Sequence, residues 1–375
     1  MTEIYLIRHA QAEGNSYRMM QGHWDGDVTA VGRRQIDALA ERFRNVPLDA
    51  LYASDLYRTR LTATAVTRYH ALPLRTDRRL REINVGRWET RFFGNVVYEE
   101  PALAHAFMYE QDKWSIEGGE TYAQVGERAW QCLNEIIRAH PEQRVAVVSH
   151  GVTIRCLLSR ISGIPLQDVE RLPISGNTAV AHLLCRDGAV TVDYWNDCGH
   201  LAALGLPQWS RVGDLRHEPL DPRRDRDYYC ACYADSWQNA HGSLLGYSEE
   251  TYWNAARRHL KRDSQSVLRL YLGDEPAGLV DLDTDRSRHL GCGWVSLLYL
   301  APAFRGKGYG IQALARAVGR YRDLGRRSLR LLAAEDNTQA MAFYKRQGFY
   351  SLSYEASDCG RLWLLERSLE VPRDV

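Results

Sequence analysis

The chain has 375 residues, which at about 150 residues per domain sets an expectation of two to three domains. Apolar residues make up 45% and charged residues 25%, a balance that excludes an intrinsically disordered chain. With 48 basic and 47 acidic residues the net charge is +1, which excludes a global electrostatic grip on nucleic acid or on an anionic membrane.

Eight cysteines are scattered along the chain, from Cys132 to Cys359, with no Cys-x-x-Cys. Cys230-Ala-Cys232 is too tight a pair for a zinc knuckle, so reduced thiols, a cytoplasmic location and no bound metal are expected. The first residues, MTEIYLIRHA, read as a strand and lack the basic and apolar regions of a signal peptide. No apolar run approaches the roughly 20 residues of a membrane helix.

In the first half, short apolar runs at Ile4–Ile7, Leu48–Ala53, Val145–Ser149, Ala179–Leu184 and Val190–Trp195 read as strands. Thr29 caps a helix that carries Ile36, Leu39, Ala40 and Phe43 on one face. A second helix runs from Tyr122 to His140, with Val125, Ala129, Leu133, Ile136 and Ile137 inward. Alternating strands and helices predict a mostly parallel sheet covered on both faces. Residues 206–226 hold Pro207, Pro219, Pro222 and the run DPRRDRD and read as a linker between domains at 1–205 and 227–375.

The second half opens with aromatic-rich helical segments at Ser236–Ala240 and Thr251–Arg262. Paired strands Val267–Leu272 and Ala277–Asp283 flank a turn at Gly273–Pro276. A strand at Trp294–Leu300, a Gly-rich turn and a helix from Gly310 to Leu324 follow. Leu329–Ala334, a helix at Thr338–Gln347 and two late strands complete a mixed sheet.

Two of the apolar runs end in histidine, at Arg8-His9 and Ser149-His150, and a third ends just before Arg58. Ligands of open α/β sheets sit at the carboxyl ends of strands, so these side chains would meet in one cationic crevice suited to phosphate. The order of blocks resembles the histidine phosphatase, or phosphoglycerate-mutase-like, superfamily over residues 1–200. The blocks are Arg8-His9-Ala10 with Asn15, Gln21-Gly22, Ser54-x-x-x-Arg58, Leu80-Arg81-Glu82, Gly118-Gly119-Glu120 and Ser149-His150-Gly151.

The resemblance implies a three-layer α/β/α domain. It implies that His9 attacks phosphorus, that Arg8, Arg58 and His150 neutralise the equatorial oxygens, and that Glu82 protonates the leaving oxygen and then activates water. It assigns substrate binding to Asn15, Gln21, Gly22 and Gly151. Ala10 stands where the family usually has Gly. The segment between Glu82 and His150 is short, which favours hydrolysis over mutase chemistry. Its aromatics, Trp88, Phe92, Phe93, Tyr98, Phe107, Tyr109, Trp114 and Tyr122, read either as a substrate pocket or as a cap packed on itself.

In the second half, Arg305-x-x-Gly308-x-Gly310 precedes a helix, and Asn337 through Phe349 holds Tyr344. Glycines let backbone N–H groups crowd against phosphate oxygens, and a helix N-terminus adds its dipole. The combination looks like the GNAT family of acetyl-CoA-dependent N-acetyltransferases over residues 225–370. It implies a mixed-sheet α/β domain with acetyl-CoA along Leu298–Leu300 at a splayed strand. Arg305, Gly306, Gly308 and Gly310 would cradle the pyrophosphate, Asn337 would contact the cofactor and Tyr344 would protonate the departing thiolate. Glu335, Asp281 and Asp283 are positional candidates for a general base.

The sequence thus points to a bifunctional enzyme acting on a small-molecule phosphate ester and an amine acceptor, with neither nucleic acid nor membrane as partner. Two other readings stay open: a phosphatase regulated by an acetyl-CoA-sensing half, and protein-directed action of both halves. The sequence leaves the oligomeric state open.

Overall fold

The computed structural model describes the chain except residues 173–174, 203–204, 206–211, 358–359 and 373–375. Strands run in the order β1 (Thr2–Arg8), β2 (Ala50–Ala53), β3 (Leu74–Thr76), β4 (Arg144–Ser149), β5 (Val180–Arg186), β6 (Ala189–Asp197), β7 (Leu215–Pro219), β8 (Val267–Leu272), β9 (Glu275–Asp283), β10 (Cys292–Leu300), β11 (Ser328–Ala334), β12 (Tyr350–Ser357) and β13 (Gly360–Ser368). The helices are α1 (Glu13–Tyr17), α2 (Ala30–Phe43), α3 (Tyr57–Thr67), α4 (Phe93–Glu99), α5 (Pro101–Tyr109), α6 (Tyr122–Ala139), α7 (Gly151–Ile161), α8 (Gly199–Ala202), α9 (Arg226–His241), α10 (Glu249–Arg262), α11 (Gly310–Asp323) and α12 (Thr338–Arg346). The chain divides into two compact units, Met1–Arg91 with Val96–Arg211, and Phe92–Asn95 with Val212–Val371.

The first unit is built on a six-stranded sheet in the order β3-β2-β4-β1-β5-β6. β1, β2, β3 and β4 are parallel, as their alternation with helices predicts, while β5 and β6 close the edge antiparallel. Successive strand residues face opposite sides. Ile4, Leu6, Val145 and Val147 therefore pack with Leu133 of α6 and Leu157 of α7. Ile7, Ala146 and Val148 pack with Leu39 of α2 and Val66 of α3 on the other face. The predicted cap holds, Thr29 accepting a hydrogen bond from Gly32 N at the start of α2; Thr121, not predicted, forms a capping box with Gln124 on α6.

The second unit carries a seven-stranded sheet in the order β12-β13-β11-β10-β9-β8-β7. Strand β7 lies inside the stretch read as linker and pairs antiparallel with β8 from Leu215 to Pro219. The Pro and Arg density of 206–226 masked it, because an edge strand tolerates Pro at its end. Residues 206–211 of that stretch, like Cys359, lie outside the described residues. The helical segment at Ser236–Ala240 belongs to the longer α9. Helices α9 and α10 bury Tyr229, Cys230, Cys232, Trp253 and Ala256 against Val267, Leu279 and Leu297. The seven described cysteines are all free and buried. Among the described residues no helix is long and apolar enough to cross a membrane.

A buried ionic network ties α10 to β9. His259 Nδ1 donates to Asp281 Oδ1 at 2.7 Å, Tyr229 donates to Asp281 Oδ2 at 2.8 Å, and His259 Nε2 lies 3.3 Å from Asp283 Oδ2. Burial works against charge on the imidazole, but the bonds to Asp281 and Asp283 outweigh it and raise His259 to about 9. The hydrogen bond from His259 in turn holds Asp283 below its ordinary value. A group raised on folding stabilises fully below its unfolded value, near 6.5 here, and loses that contribution as pH rises through about 9. Calorimetry of the whole chain should therefore show a transition that falls between about pH 7 and 10. His259→Gln should destabilise that transition by about 3 kcal/mol at neutral pH, because it leaves the buried Asp281 carboxylate without its cation. It should also flatten the dependence; an unchanged slope in the variant would remove the network as its cause.

Candidate active sites

Strands β1 and β4 pair in parallel with Arg8 opposite Ser149, so the residues that follow, His9 and His150, emerge side by side. Their ring centroids are 5.2 Å apart, and both side chains are buried. His9 Nδ1 lies 2.7 Å from the Ala10 carbonyl oxygen. A carbonyl only accepts, so Nδ1 carries the hydrogen and the lone pair sits on Nε2. Burial first, then the Arg58 and Arg8 guanidinium groups, hold His9 well below the ordinary imidazole value. Burial, Arg58 and His9 do the same to His150, neither of whose nitrogens has a hydrogen-bond partner among the described residues.

Arg58 enters from the first turn of α3 and is fully buried. It donates to Gly22 O at 2.7 Å and Trp24 O at 3.0 Å, and meets Asp25 Oδ1 at 3.3 Å. The loop that receives it is folded around Glu89, whose carboxylate accepts from Gly22 N, His23 N and Trp24 N. A Cβ on Gly22 would stand 2.3 Å from both Glu89 Oε1 and Ile83 O, so the loop closes only with glycine there. Thr62 links the two elements by donating to Arg58 O at 2.6 Å and accepting from Ala10 N at 2.9 Å. Ala10 contributes backbone to these contacts, and its methyl packs in the core beside Ile7, Val28 and Ala63.

Glu82 sits on the N-terminus of α7, its carboxylate accepting from Val152 N at 3.1 Å and Thr153 N at 3.2 Å. A Cβ built on Gly151 would lie 3.4 Å from Arg8 Nε and 3.7 Å from Glu82 Oε2, so this glycine separates the two charges. Asn15 Oδ1 accepts from Ala12 N at 3.0 Å and from Asn177 Nδ2 at 3.3 Å, and Asn177 also donates to His9 O. Gln21 brings a buried amide with no hydrogen-bond partner among the described residues.

The structure thus gathers Arg8, His9, Arg58, Glu82, His150 and Gly151 at one sheet edge, with the Gln21–Gly22 loop held onto Arg58. Glu89, Arg128 and Asn177 support the site; Arg128 and Asn177 were not singled out in the sequence. Arg128 gave a signal, being a cation at helical spacing between the inward Val125 and Cys132 of α6. Part of the aromatic segment is a self-packed cap: Trp88, Phe107, Trp114 and Tyr122 meet in edge and tilted contacts at 5.1–6.0 Å, whereas Tyr98 and Tyr109 are exposed.

In the second unit, β10 pairs with β11 only from Cys292 to Trp294, and its register on β9 shifts between Val295 and Leu297. Beyond that point the β11-facing edge of β10, including Leu298 and Leu300, has no strand in register. The following turn carries Gly306 and Gly308 at positive φ, 72° and 88°, and leads into α11 at Gly310. A Cβ on Gly310 would lie 3.1 Å from the Phe343 ring.

Two side chains assigned to the cofactor are engaged within the fold. Arg305 Nε donates to Leu300 O at 2.8 Å and its Nη2 pairs with Asp235, tying the turn to β10 and α9. Asn337 caps α12, its Oδ1 accepting from Ala340 N at 3.1 Å. Tyr344 is buried beside Phe343 and Phe349, and burial raises its phenol above the ordinary value, so it stays protonated.

Asp281 and Asp283 belong to the His259 network, where both Asp281 oxygens are occupied, an arrangement for holding α10 rather than for taking a substrate proton. Glu335 accepts from Arg361 and Trp363. Of the aromatics, Tyr229 and Trp253 are core, and Tyr233 stacks on Tyr252 at 4.1 Å.

Comparison with known proteins agrees with both halves. The profile of the histidine phosphatase superfamily (branch 1) matches residues 4–198, and that of the acetyltransferase (GNAT) family matches residues 226–349. A protein of Yersinia enterocolitica named "Probable phosphoglycerate mutase GpmB" is 31% identical over 209 residues, 55% of this chain and 97% of that protein. Its namesake from Proteus mirabilis is 29% identical over 56% of this chain and its own full length. The solved structure of Bacillus stearothermophilus YhfR superposes with a TM-score of 0.52 at 29% identity, covering 54% of this chain and all of that one. The chain therefore belongs to the histidine phosphatase superfamily and joins to that phosphatase domain a GNAT acetyltransferase domain, so that one polypeptide carries phosphatase and acyltransferase activities.

Proposed function

We propose that the first unit hydrolyses a small-molecule phosphate monoester through a phosphohistidine and that the second acetylates an amine, the two serving one metabolite. The phosphatase reading is carried by His9, a buried neutral imidazole with its lone pair on Nε2, between two arginines and a second histidine. As the Nε2–P bond forms and the P–O bond breaks, Arg8, Arg58 and His150 take the equatorial oxygens. The leaving oxygen receives its proton from Glu82, which then takes a proton from the water that releases phosphate. Asn15, Gln21, Gly22 and Gly151 shape the phosphoryl pocket.

Hydrolysis is favoured over mutase chemistry by the charges of the cap. Phosphoglycerate carries a carboxylate besides its phosphate, and a mutase must hold both. Arg87 and Arg91 of this segment are paired with Glu99 and Glu100, and Lys113 with Glu110.

The acetyltransferase reading rests on the divergence of β10 from β11 beside the Gly306–Gly310 turn. Acetyl-CoA supplies an activated thioester carbonyl for attack by an amine. The backbone of Leu298–Leu300 and the N–H groups of Gly306, Gly308 and Gly310 would hold it, and the protonated Tyr344 would donate to the leaving sulfur. The shared metabolite is supported by the fusion itself. A panel of amino-phosphates with acetyl-CoA, scored for inorganic phosphate and free thiol in the same wells, tests it: one compound positive in both assays is expected.

Two further outcomes follow. His9→Ala should lower phosphate release at least about 1,000-fold and leave acetyl transfer intact, while Tyr344→Phe should lower acetyl transfer on the order of 100-fold and spare phosphate release. Loss of both activities in one folded variant would refute independent sites. Because burial keeps His9 neutral well below 6.5, phosphatase kcat/KM should not fall with a His9 titration from about pH 7.5 to pH 5.5. An inflection near 6.5 that disappears in His150→Asn would assign the titration to the second histidine instead.

A further inference from the structure

Glu82 lies in a stretch with no ladder to place it. Residues 81–85 belong to neither strand nor helix, so their backbone groups need other partners. Four consecutive carbonyls, of Arg79, Leu80, Arg81 and Glu82, are bound by side chains. Arg128 reaches three of them, donating from Nη1 to Arg79 O at 2.7 Å and Arg81 O at 2.8 Å, and from Nη2 to Glu82 O at 2.9 Å. Ser149 takes Leu80 O at 2.8 Å, Thr153 also takes Arg81 O, and His23 Nε2 is 3.1 Å from Glu82 O. Arg128 is itself fixed by Glu120, at 2.7 Å from Nε and 2.9 Å from Nη2, and Glu120 also accepts from Asn84 N at 2.9 Å. One planar cation and its carboxylate partner thus hold both ends of the segment from 79 to 84.

The phosphate-binding groups are held by other means. Arg8, His9 and His150 follow the paired strands β1 and β4, and Arg58 rides on α3. We propose that Arg128, braced by Glu120, is a positioning residue for Glu82, so that proton transfer to the leaving oxygen depends on it and phosphoryl binding does not. This rests on Glu82 as the proton donor.

Leaving-group dependence separates that role from a merely structural one. p-Nitrophenolate departs without a proton, whereas the alkoxide of β-glycerophosphate needs one. In Arg128→Met, kcat/KM for β-glycerophosphate should fall at least about 30-fold, within the 100- to 10,000-fold range of general acid catalysis or just short of it. For p-nitrophenyl phosphate it should stay within about threefold. Arg128→Lys keeps the charge without the planar fork and should show the same split, and Glu120→Gln a smaller one.

Glu82→Gln sets the reference. Equal losses on both substrates in the Arg128 variants, or none on either, against a split in Glu82→Gln would overturn this proposal alone. Absence of the split in Glu82→Gln would overturn the acid role and this proposal with it. Should Arg128→Met fail to fold, Arg128→Lys and Glu120→Gln are read by the same criterion.

Discussion

The register of β1 on β4 is the constraint from which the phosphatase site follows. Parallel pairing aligns two strand ends, and the chain leaves them toward α1 and α7. A shift of one residue would send His9 and His150 to different levels and reverse the faces of every strand residue between them. The alternating cores forbid that shift, since Ile4 and Leu6 pack on one side of the sheet and Ile7 on the other. Apolar packing far from the chemistry therefore sets the separation of the two imidazoles.

The two sites use the chain in different ways. In the first unit, polar side chains are inserted into a buried crevice and fixed by a backbone carbonyl or amide: Ala10 for His9, Gly22 and Trp24 for Arg58, Val152 and Thr153 for Glu82. In the second, side chains assigned by resemblance turn inward to brace the turn and the helix, as Arg305 and Asn337 do, which leaves the cofactor role proposed for the turn to its backbone groups. Electrostatic work is done by placed charges in one case and by oriented peptide dipoles in the other.

Much of this was legible in the sequence where a residue carries its own chemistry. The strands ending in Arg8-His9 and Ser149-His150, the cap at Thr29, and the glycines at 306, 308 and 310 each have a local physical reason to be where they are. Strand β7 was not legible, because its pairing with β8 is a contact between distant segments and its Arg and Pro content resembles a linker. One supporting charge was hidden for a related reason. Arg128 acts on backbone groups of a loop far away in sequence, and its spacing between Val125 and Cys132 marks it as inward without showing what it meets. The aromatic cap was ambiguous because ring-on-ring packing and a ring-lined pocket have the same composition.

Strand β1 leaves the ribosome long before either of the strands it pairs with. Its two neighbours, β4 and β5, begin at Arg144 and Val180. At synthesis rates of roughly 5–20 residues per second, the apolar run of Ile4, Leu6 and Ile7 waits on the order of 10–40 s with both edges unpaired. During that interval it is a surface for chaperones or for a neighbouring nascent chain, and the phosphatase half cannot close before most of its own length has been made.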